Sequence, residues 1–263
     1  MTVRFWKLSG AGNDFVLVAE PQRRALAALA RRLCDRRQGV GADGLLAVWH
    51  RRGGLRLRYF NADGSETFCG NGSRCAVWWA FRHRGVGRRM RLWTCAGETM
   101  ARVVRRECVS LDMPEPRHLR LGLRIRARGR AFVAHALDTG VPHAVVAARG
   151  LARFPVEDYG RAIRRNSRFR PEGVNVDFVE RDGEALRLRT YERGVEGETW
   201  ACGTGAVAAA VVGWRLGWTR PPVTVIVRGG ETLRVSFRAE GSAAREVRLE
   251  GPVREVFQGE VLA

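Results

Sequence analysis

Lysine is almost missing from this sequence: Lys7 supplies one of its 46 basic residues, and arginine supplies the rest. The six cysteines (Cys34, Cys69, Cys75, Cys95, Cys108 and Cys202) contain no C-x-x-C pair, which excludes zinc-ribbon and thioredoxin-like readings. No apolar run approaches the roughly 20 residues that a spanning helix needs. The first residues, Met1-Thr-Val-Arg-Phe-Trp-Lys7, lack a signal-peptide layout and read as the start of a strand. A cytoplasmic location is the default expectation, and a disulfide framework is not expected there. There is no P-loop, and no clear G-x-G-x-x-G follows a strand. The five histidines are scattered without metal-ligand spacing, so neither a metal nor a cofactor is expected.

What is abundant is positive charge, a formal +19 over 263 residues. That excess raises the question of nucleic acid or anionic membrane as a partner. The arginines run along the whole chain without forming a tract, and the aromatics are not interleaved with a basic stripe. Neither nucleic acid nor membrane is therefore expected; an Arg-rich nucleic-acid-binding protein stands only as a remote alternative, marked by steeply salt-dependent binding. A positive field would also draw an anionic or zwitterionic acid toward a cleft.

The most informative pattern is an internal repeat. The first half reads Leu55-Arg-Leu-Arg-Tyr-Phe-Asn-Ala-Asp-Gly-Ser-Glu-Thr-Phe-Cys69-Gly-Asn-Gly72. The second reads Leu186-Arg-Leu-Arg-Thr-Tyr-Glu-Arg-Gly-Val-Glu-Gly-Glu-Thr-Trp-Ala-Cys202-Gly-Thr-Gly205. Each copy opens with an alternating strand, crosses a polar loop, reaches Cys-Gly-x-Gly and enters a helix of small and apolar residues. The spacing predicts helices over Ser73 to His83, before Gly85, and over Ala206 to Leu216, before Gly217. Other alternating segments (Val3–Leu8, Phe15–Ala19, Leu45–Trp49, Arg91–Thr94, Val109–Met113, Val174–Val179, Val223–Val227, Leu233–Phe237, Val247–Leu249) predict a strand-rich frame. An amphipathic helix is expected from Gln22 to Arg36, with Leu26, Leu29 and Leu33 on one face. Arg117 to Arg130 is Arg-rich but alternates with Leu and Ile, so it is not read as disordered. Two similar lobes with a cleft between them are the natural interpretation, with Pro114 and Pro116 at the boundary.

Cysteine at a helix start carries chemistry. The first turn leaves N–H groups unpaired, and the helix macrodipole is positive there. Both favour thiolate. Flanking glycines let a ligand approach the backbone, and the free N–H groups suit a carboxylate. Two such elements, one per repeat, fit inversion at an amino-acid α-carbon: one sulfur removes the proton, and the other returns one on the opposite face. Fixed N–H dipoles would hold the charge that develops on the carboxylate. Cys34, Cys95 and Cys108 are expected to be small buried hydrophobes, and Cys75 to pack inside its helix.

Eight segments in order carry a family resemblance: Lys7–Phe15, Gly39–Gly44, Asn61–Ser65, Cys69–Cys75, Gly140–His143, Asn175–Phe178, Tyr191–Gly194 and Cys202–Gly205. Along nearly its full length the chain resembles the diaminopimelate epimerases. The resemblance implies an α/β (α+β) fold of two pseudo-symmetric lobes, each a β-barrel-like sheet around a central helix, with the active site in the cleft between them. Expected boundaries are 1–115 with a returning strand at 252–263 for the lobe carrying Cys69, and 116–251 for the lobe carrying Cys202.

The implied activity is interconversion of LL- and meso-2,6-diaminopimelate, in the route to lysine and peptidoglycan, by a homodimer without cofactor. Cys69 and Cys202 match the family's acid/base pair. Gly70, Asn71, Gly203 and Thr204 match positions whose N–H groups hold the reacting carboxylate. Asn13, Asn61, Asn175 and Arg193 match side chains that grip the rest of the substrate. Glu192 and His143 match groups that tune the thiols, and Glu192 also reaches the substrate. Val141 and Gly44 stand where some members have Asn and Gln, so two polar contacts are absent. A histidine or proline-type racemase on the same fold is the alternative with the same chemistry; Asn61, Asn175 and Arg193 favour a substrate with a second amino-acid end.

Overall fold

The computed structural model describes residues 2–22 and 25–262. In chain order the elements are β1 (Thr2–Gly10), β2 (Asn13–Ala19), α1 (Leu26–Cys34), β3 (Gly44–Arg51), β4 (Gly54–Asn61), β5 (Glu66–Thr67), α2 (Gly70–Arg84), β6 (Arg89–Thr94), β7 (Gly97–Arg105) and β8 (Cys108–Asp112). There follow β9 (Arg117–Ala127), β10 (Arg130–Asp138), β11 (Pro142–Ala147), α3 (Val156–Arg164), β12 (Asn175–Asp182), β13 (Ala185–Glu192), β14 (Gly197–Thr199) and α4 (Gly203–Arg215). The chain closes with β15 (Val223–Ile226), β16 (Thr232–Glu240), β17 (Ala243–Pro252) and β18 (Arg254–Leu262). The fold is mixed α/β and mostly strand. No helix among the described residues is long and apolar enough to cross a membrane.

The chain divides into two compact units, residues 1–112 with 250–263, and residues 113–249. Within the first, β1 and β2 are antiparallel, β2 and β3 parallel, β3 and β4 antiparallel, β4 and β6 parallel, and β6 and β7 antiparallel. Within the second, β10 to β13, β15 and β16 repeat those pairings in the same sequence. The first strand of each series has one more antiparallel neighbour, β18 on β1 and β9 on β10. Each parallel step is made through a helix: α1 and α2 in one unit, α3 and α4 in the other.

Register makes the repeat exact enough to compare residues. Leu45 pairs with Phe60 as Val176 pairs with Tyr191. Phe15 lies beside Gly44 as His143 lies beside Asn175. Leu46 and Asp177 are therefore equivalent, as are Phe15 and His143.

Helices α2 and α4 are the centres of their units. α2 packs against β1, β2, β3, β4, β6, β7 and β8, and α4 against β10 to β13, β15 and β16. A helix enclosed on all sides cannot keep a polar face. Asn71 to Ala80 are accordingly buried without a break, and so are Gly205 to Gly213. α2 stops at Gly85, whose φ of 64° is the left-handed conformation that glycine adopts freely. α1 and α3 bury one stripe each: Leu26, Ala30, Leu33 and Cys34 in α1, and Val156, Gly160 and Ile163 in α3.

Several expectations need correcting. Both central helices begin three residues earlier than periodicity suggested, immediately after Cys69 and Cys202, because Gly-x-Gly supplies their first turn. The helix expected from Gln22 is observed from Leu26, and Arg23 and Arg24 lie outside the described residues. Cys95 is exposed, not buried: it occupies the turn between β6 and β7, where the apolar alternation of Arg91–Thr94 has ended. Cys34, Cys75 and Cys108 are buried. Gly44 accepts no side chain, since a Cβ would sit 2.3 Å from Tyr59 Cε2 and 2.5 Å from the Phe60 carbonyl oxygen.

Candidate active site

Each central helix starts with a cysteine in the N-cap position. Cys69 has extended backbone (φ −137°, ψ 111°), and its Sγ accepts from the Gly72 N–H at 3.4 Å. Cys202 repeats this with φ −117°, ψ 111° and the Gly205 N–H at 3.4 Å. Sulfur thus stands where Ser or Asp oxygen caps most helices. The glycine at the third helical position is required in both units. At Gly72 a Cβ would meet Leu46 Cδ2 at 2.7 Å, and at Gly205 it would meet Asp177 Oδ1 at 2.4 Å.

In the first unit, a relay of amides runs behind Cys69. The guanidinium of Arg74, fully buried, donates to Asn71 Oδ1 at 2.6 Å. Asn71 Nδ2 donates to Asn13 Oδ1 at 2.7 Å, and Asn13 Nδ2 donates to Asp43 Oδ2 at 2.9 Å. Parallel pairing of β2 with β3 brings Asn13 and Asp14 against Asp43. Arg36 bridges both carboxylates at 2.8 Å, and Lys7 pairs with Asp14 at 2.6 Å and with the Gly41 carbonyl. Burial alone would raise the Asp14 pKa, but hydrogen bonds from Arg36 and Lys7 hold it down at about 2. Asn61 ends β4 and donates to Ser65 Oγ at 2.9 Å across the turn leading to β5.

In the second unit the surroundings of the thiol carry the opposite sign. Cys202 is buried, and Thr204 Oγ1 lies 3.4 Å from its sulfur. Glu192, at the end of β13, acts on Cys202 electrostatically and accepts from Thr199 Oγ1 at 2.7 Å. Burial pushes the Glu192 carboxyl up. Burial, then the charges of Glu192 and Asp177, push the Cys202 thiol well above its ordinary range. Asp177 is wholly enclosed: Oδ2 lies 2.7 Å from His143 Nδ1, and Oδ1 accepts from Thr190 Oγ1 at 2.8 Å. His143 Nε2 is buried without a partner among the described residues. Asn175 Oδ1 accepts from the Arg193 backbone N–H at 2.8 Å, which fixes the turn that presents Arg193. Among the described residues the Arg193 guanidinium has only long contacts, 3.5 and 3.7 Å, to the exposed Glu172.

The residues expected from sequence thus fall into two groups. Cys69, Gly70, Asn71, Asn13 and Asn61 belong to the first unit, and His143, Asn175, Glu192, Arg193, Cys202, Gly203 and Thr204 to the second. Direct hydrogen bonds link Asn13 with Asn71, Asn175 with Arg193, and Cys202 with Thr204, and the Glu192 carboxylate bears on Cys202 electrostatically. Sequence reasoning passed over Arg74, Asp177 and Thr190. The repeat itself held the signal for the first two: Arg74 stands where the other copy has Val207, and Asp177 where it has Leu46.

The family model described as diaminopimelate epimerase matches residues 5–119 and 135–255. A diaminopimelate epimerase of Chlorobaculum tepidum is 42% identical, covering 97% of this chain and 99% of its own. One from Aquifex aeolicus is 38% identical, covering 98% and 97%. Among solved structures, a phenazine biosynthesis protein of the PhzF family from Bacillus anthracis superposes with a TM-score of 0.75 at 15% identity, over all of both chains. A hydroxyproline epimerase from Agrobacterium vitis, with bound trans-4-hydroxy-L-proline, gives 0.70 at 17% identity, over 99% and 91%. At these identities the two structures attest the fold.

Proposed function

This chain belongs to the diaminopimelate epimerase family, and we propose from that membership that it interconverts LL- and meso-2,6-diaminopimelate with Cys69 and Cys202 as its acid/base pair. The observation that carries this reading is the duplicated cap: two sulfurs, each at the start of a buried helix and each receiving an N–H at 3.4 Å. The Cys69 thiolate removes the α-proton of one stereoisomer, and the Cys202 thiol delivers a proton to the opposite face. The reverse direction exchanges their roles. The N–H groups of Gly70, Asn71, Gly203 and Thr204 take the reacting carboxylate, where first-turn donors and the macrodipole favour negative charge that grows as the carbanion forms. Arg193, lacking a close carboxylate partner, takes the distal carboxylate, and Asn13, Asn61 and Asn175 take the remaining polar atoms.

We further propose that the enzyme works in the cytoplasm as a homodimer. Val256, Phe257 and Leu262 on β18 expose apolar surface that a second copy would cover. Sedimentation of the wild type beside Phe257→Glu tests this, a monomeric wild type refuting it. The decisive experiment incubates purified protein with LL-diaminopimelate in deuterium oxide, with histidine and hydroxyproline as parallel substrates. Formation of the meso isomer with deuterium at one α-carbon is the expected result. No turnover of diaminopimelate ends the substrate assignment, and turnover without solvent exchange ends the two-thiol chemistry.

A further inference from the structure

The repeat is faithful in backbone and broken in charge. Around the first thiol, the equivalents of His143 and Asp177 are Phe15 and Leu46, both fully buried and apolar. Around the second thiol, the equivalent of Arg74 is Val207. Each half thus carries one kind of buried charge, of opposite sign, close to its helix cap.

Arg74 is the less expected of the two. A guanidinium removed from water needs a compensating anion, because its desolvation costs several kcal/mol. Arg74 has no carboxylate partner among the described residues. Among those residues only Nη2 is hydrogen-bonded, to a neutral amide, while Nε and Nη1 find no partner. The relay through Asn71 and Asn13 does end at Asp43, but that carboxylate is already paired with Arg36. The bond to Asn71 Oδ1 holds the guanidinium against the first turn of α2, the turn that Cys69 caps, and the ionisable groups bearing on it are Cys75 and Cys69 on α2 and Cys108 on β8. On the strands packed against α2, the charged side chains outside the Lys7–Asp14 and Arg58–Glu66 pairs are exposed, and Tyr59 turns its hydroxyl toward the Asp43 carbonyl. Of the three thiols, Cys75 is held up by burial, Cys108 sits at the end of a strand, and Cys69 has the first-turn N–H groups to share an anion.

The groups facing Cys202 are anionic instead: Glu192 from β13 and Asp177 from β12, the latter shared with His143 from β11. From the other strands against α4, β10 brings His135 and Asp138, each accepting from a backbone N–H, at Gly122 and Gly140. β15 carries no titratable side chain, and the charged residues of β16 are exposed.

Resting on the proposed two-thiol function, we propose that Arg74 is a positioning residue that keeps Cys69 as the thiolate of the resting enzyme, while Glu192 and the His143–Asp177 pair keep the proton on Cys202. The resting protein is then set for the stereoisomer whose α-proton faces Cys69. After each turnover in that direction the proton must return from Cys69 to Cys202 through solvent.

The test is alkylation by iodoacetamide across pH, with Cys69 and Cys202 followed separately by peptide mass spectrometry. In the unmodified enzyme Cys69 is expected to react first at neutral pH. In Arg74→Met the Cys69 midpoint should rise by about one pH unit or more, as expected for loss of a nearby opposite charge. The acid limb of kcat/KM for one stereoisomer should move with it. Arg74→Lys should restore both, and Cys202 should label unchanged throughout; a purely structural arginine would move neither limb nor midpoint. A folded Arg74→Met with an unshifted Cys69 midpoint overturns the proposal. If that variant does not fold, the order in the unmodified enzyme decides, Cys202 before Cys69 overturning it. Labelling does not depend on turnover, so a protein inert toward diaminopimelate refutes the function and not the bias.

Discussion

Replacing Asp177 by Leu and His143 by Phe, singly and together, turns the second thiol's surroundings into those of the first. Asp177 binds His143 Nδ1 at 2.7 Å and Thr190 Oγ1 at 2.8 Å, and all three residues are buried. Asp177→Leu leaves an imidazole nitrogen and a hydroxyl without partners in a dry site. Each orphan costs about 1–3 kcal/mol, so the loss should be about 3–5 kcal/mol, the usual consequence of breaking a buried pair. His143→Phe strands the carboxylate and should cost a similar amount. The double variant carries the Phe and Leu that the first unit already packs in the same register, against a glycine of the same helix turn. It removes both partners together and leaves only the Thr190 hydroxyl unmet, so it should recover to within about 2 kcal/mol of wild type. The assay is urea unfolding followed by tryptophan fluorescence, each variant extrapolated linearly to water. On these figures the coupling between the two sites should be at least about 4 kcal/mol. Additive losses in the double variant would refute the equivalence drawn between the units. Epimerase activity should stay low in the double variant even though stability returns.

Cys69→Ala and Cys202→Ala should each abolish epimerisation in both directions while costing about 1 kcal/mol through loss of the cap, read by the same assays. Arg189→Met should cost about 3 kcal/mol or more, because Arg189 holds the nearly buried Glu198 at 2.6 and 2.7 Å and also donates to the Leu151 and Phe154 carbonyls. Its repeat counterpart Arg58→Met, whose pair with Glu66 is about one-third exposed, should cost less than about 1 kcal/mol in the same urea titration. Stability should fall above pH 9. Burial pushes Cys34 up to about 12 and holds Cys75 and Cys202 high as well, whereas the unfolded thiols ionise near 9.0. A raised folded pKa stabilises fully below the unfolded value, and that contribution declines by about 1.4 kcal/mol per pH unit per thiol until the folded pKa is reached. A urea midpoint that is flat from pH 8 to 11 would contradict this burial.

β6, β15 and β16 were readable because alternation puts one face of each on a core, and β3 and β12 because their apolar runs are buried on both faces; all five lie where their apolar residues placed them. α3 was not readable: its buried stripe is Val156, Gly160 and Ile163, and the middle member is glycine because a Cβ there would meet Tyr191 Cβ at 2.5 Å. Periodicity has nothing to count at such a position. β9 is nearly as opaque, since most of its residues are exposed and only Ile125 and Ala127 are buried. In the candidate site, the two cysteines stood out because the motif occurs twice. Arg74 and Asp177 did not, because a charged residue inside an apolar run looks like a surface position until a strand pairing encloses it. What the second copy of a repeat lacks is as informative as what it shares.

The strand that completes the edge of β1 comes from the far end of the chain, with Val3 beside Val261 and Phe5 beside Gly259. Residues 113–249 are contiguous, so on the ribosome that unit has all its segments available while the first is still waiting for β18. Until those last residues emerge, β1 presents an open row of N–H and C=O groups, the kind of edge that recruits foreign strands. Chains interrupted before β18 should therefore aggregate through their N-terminal part, and restoring residues 254–262 should suppress it.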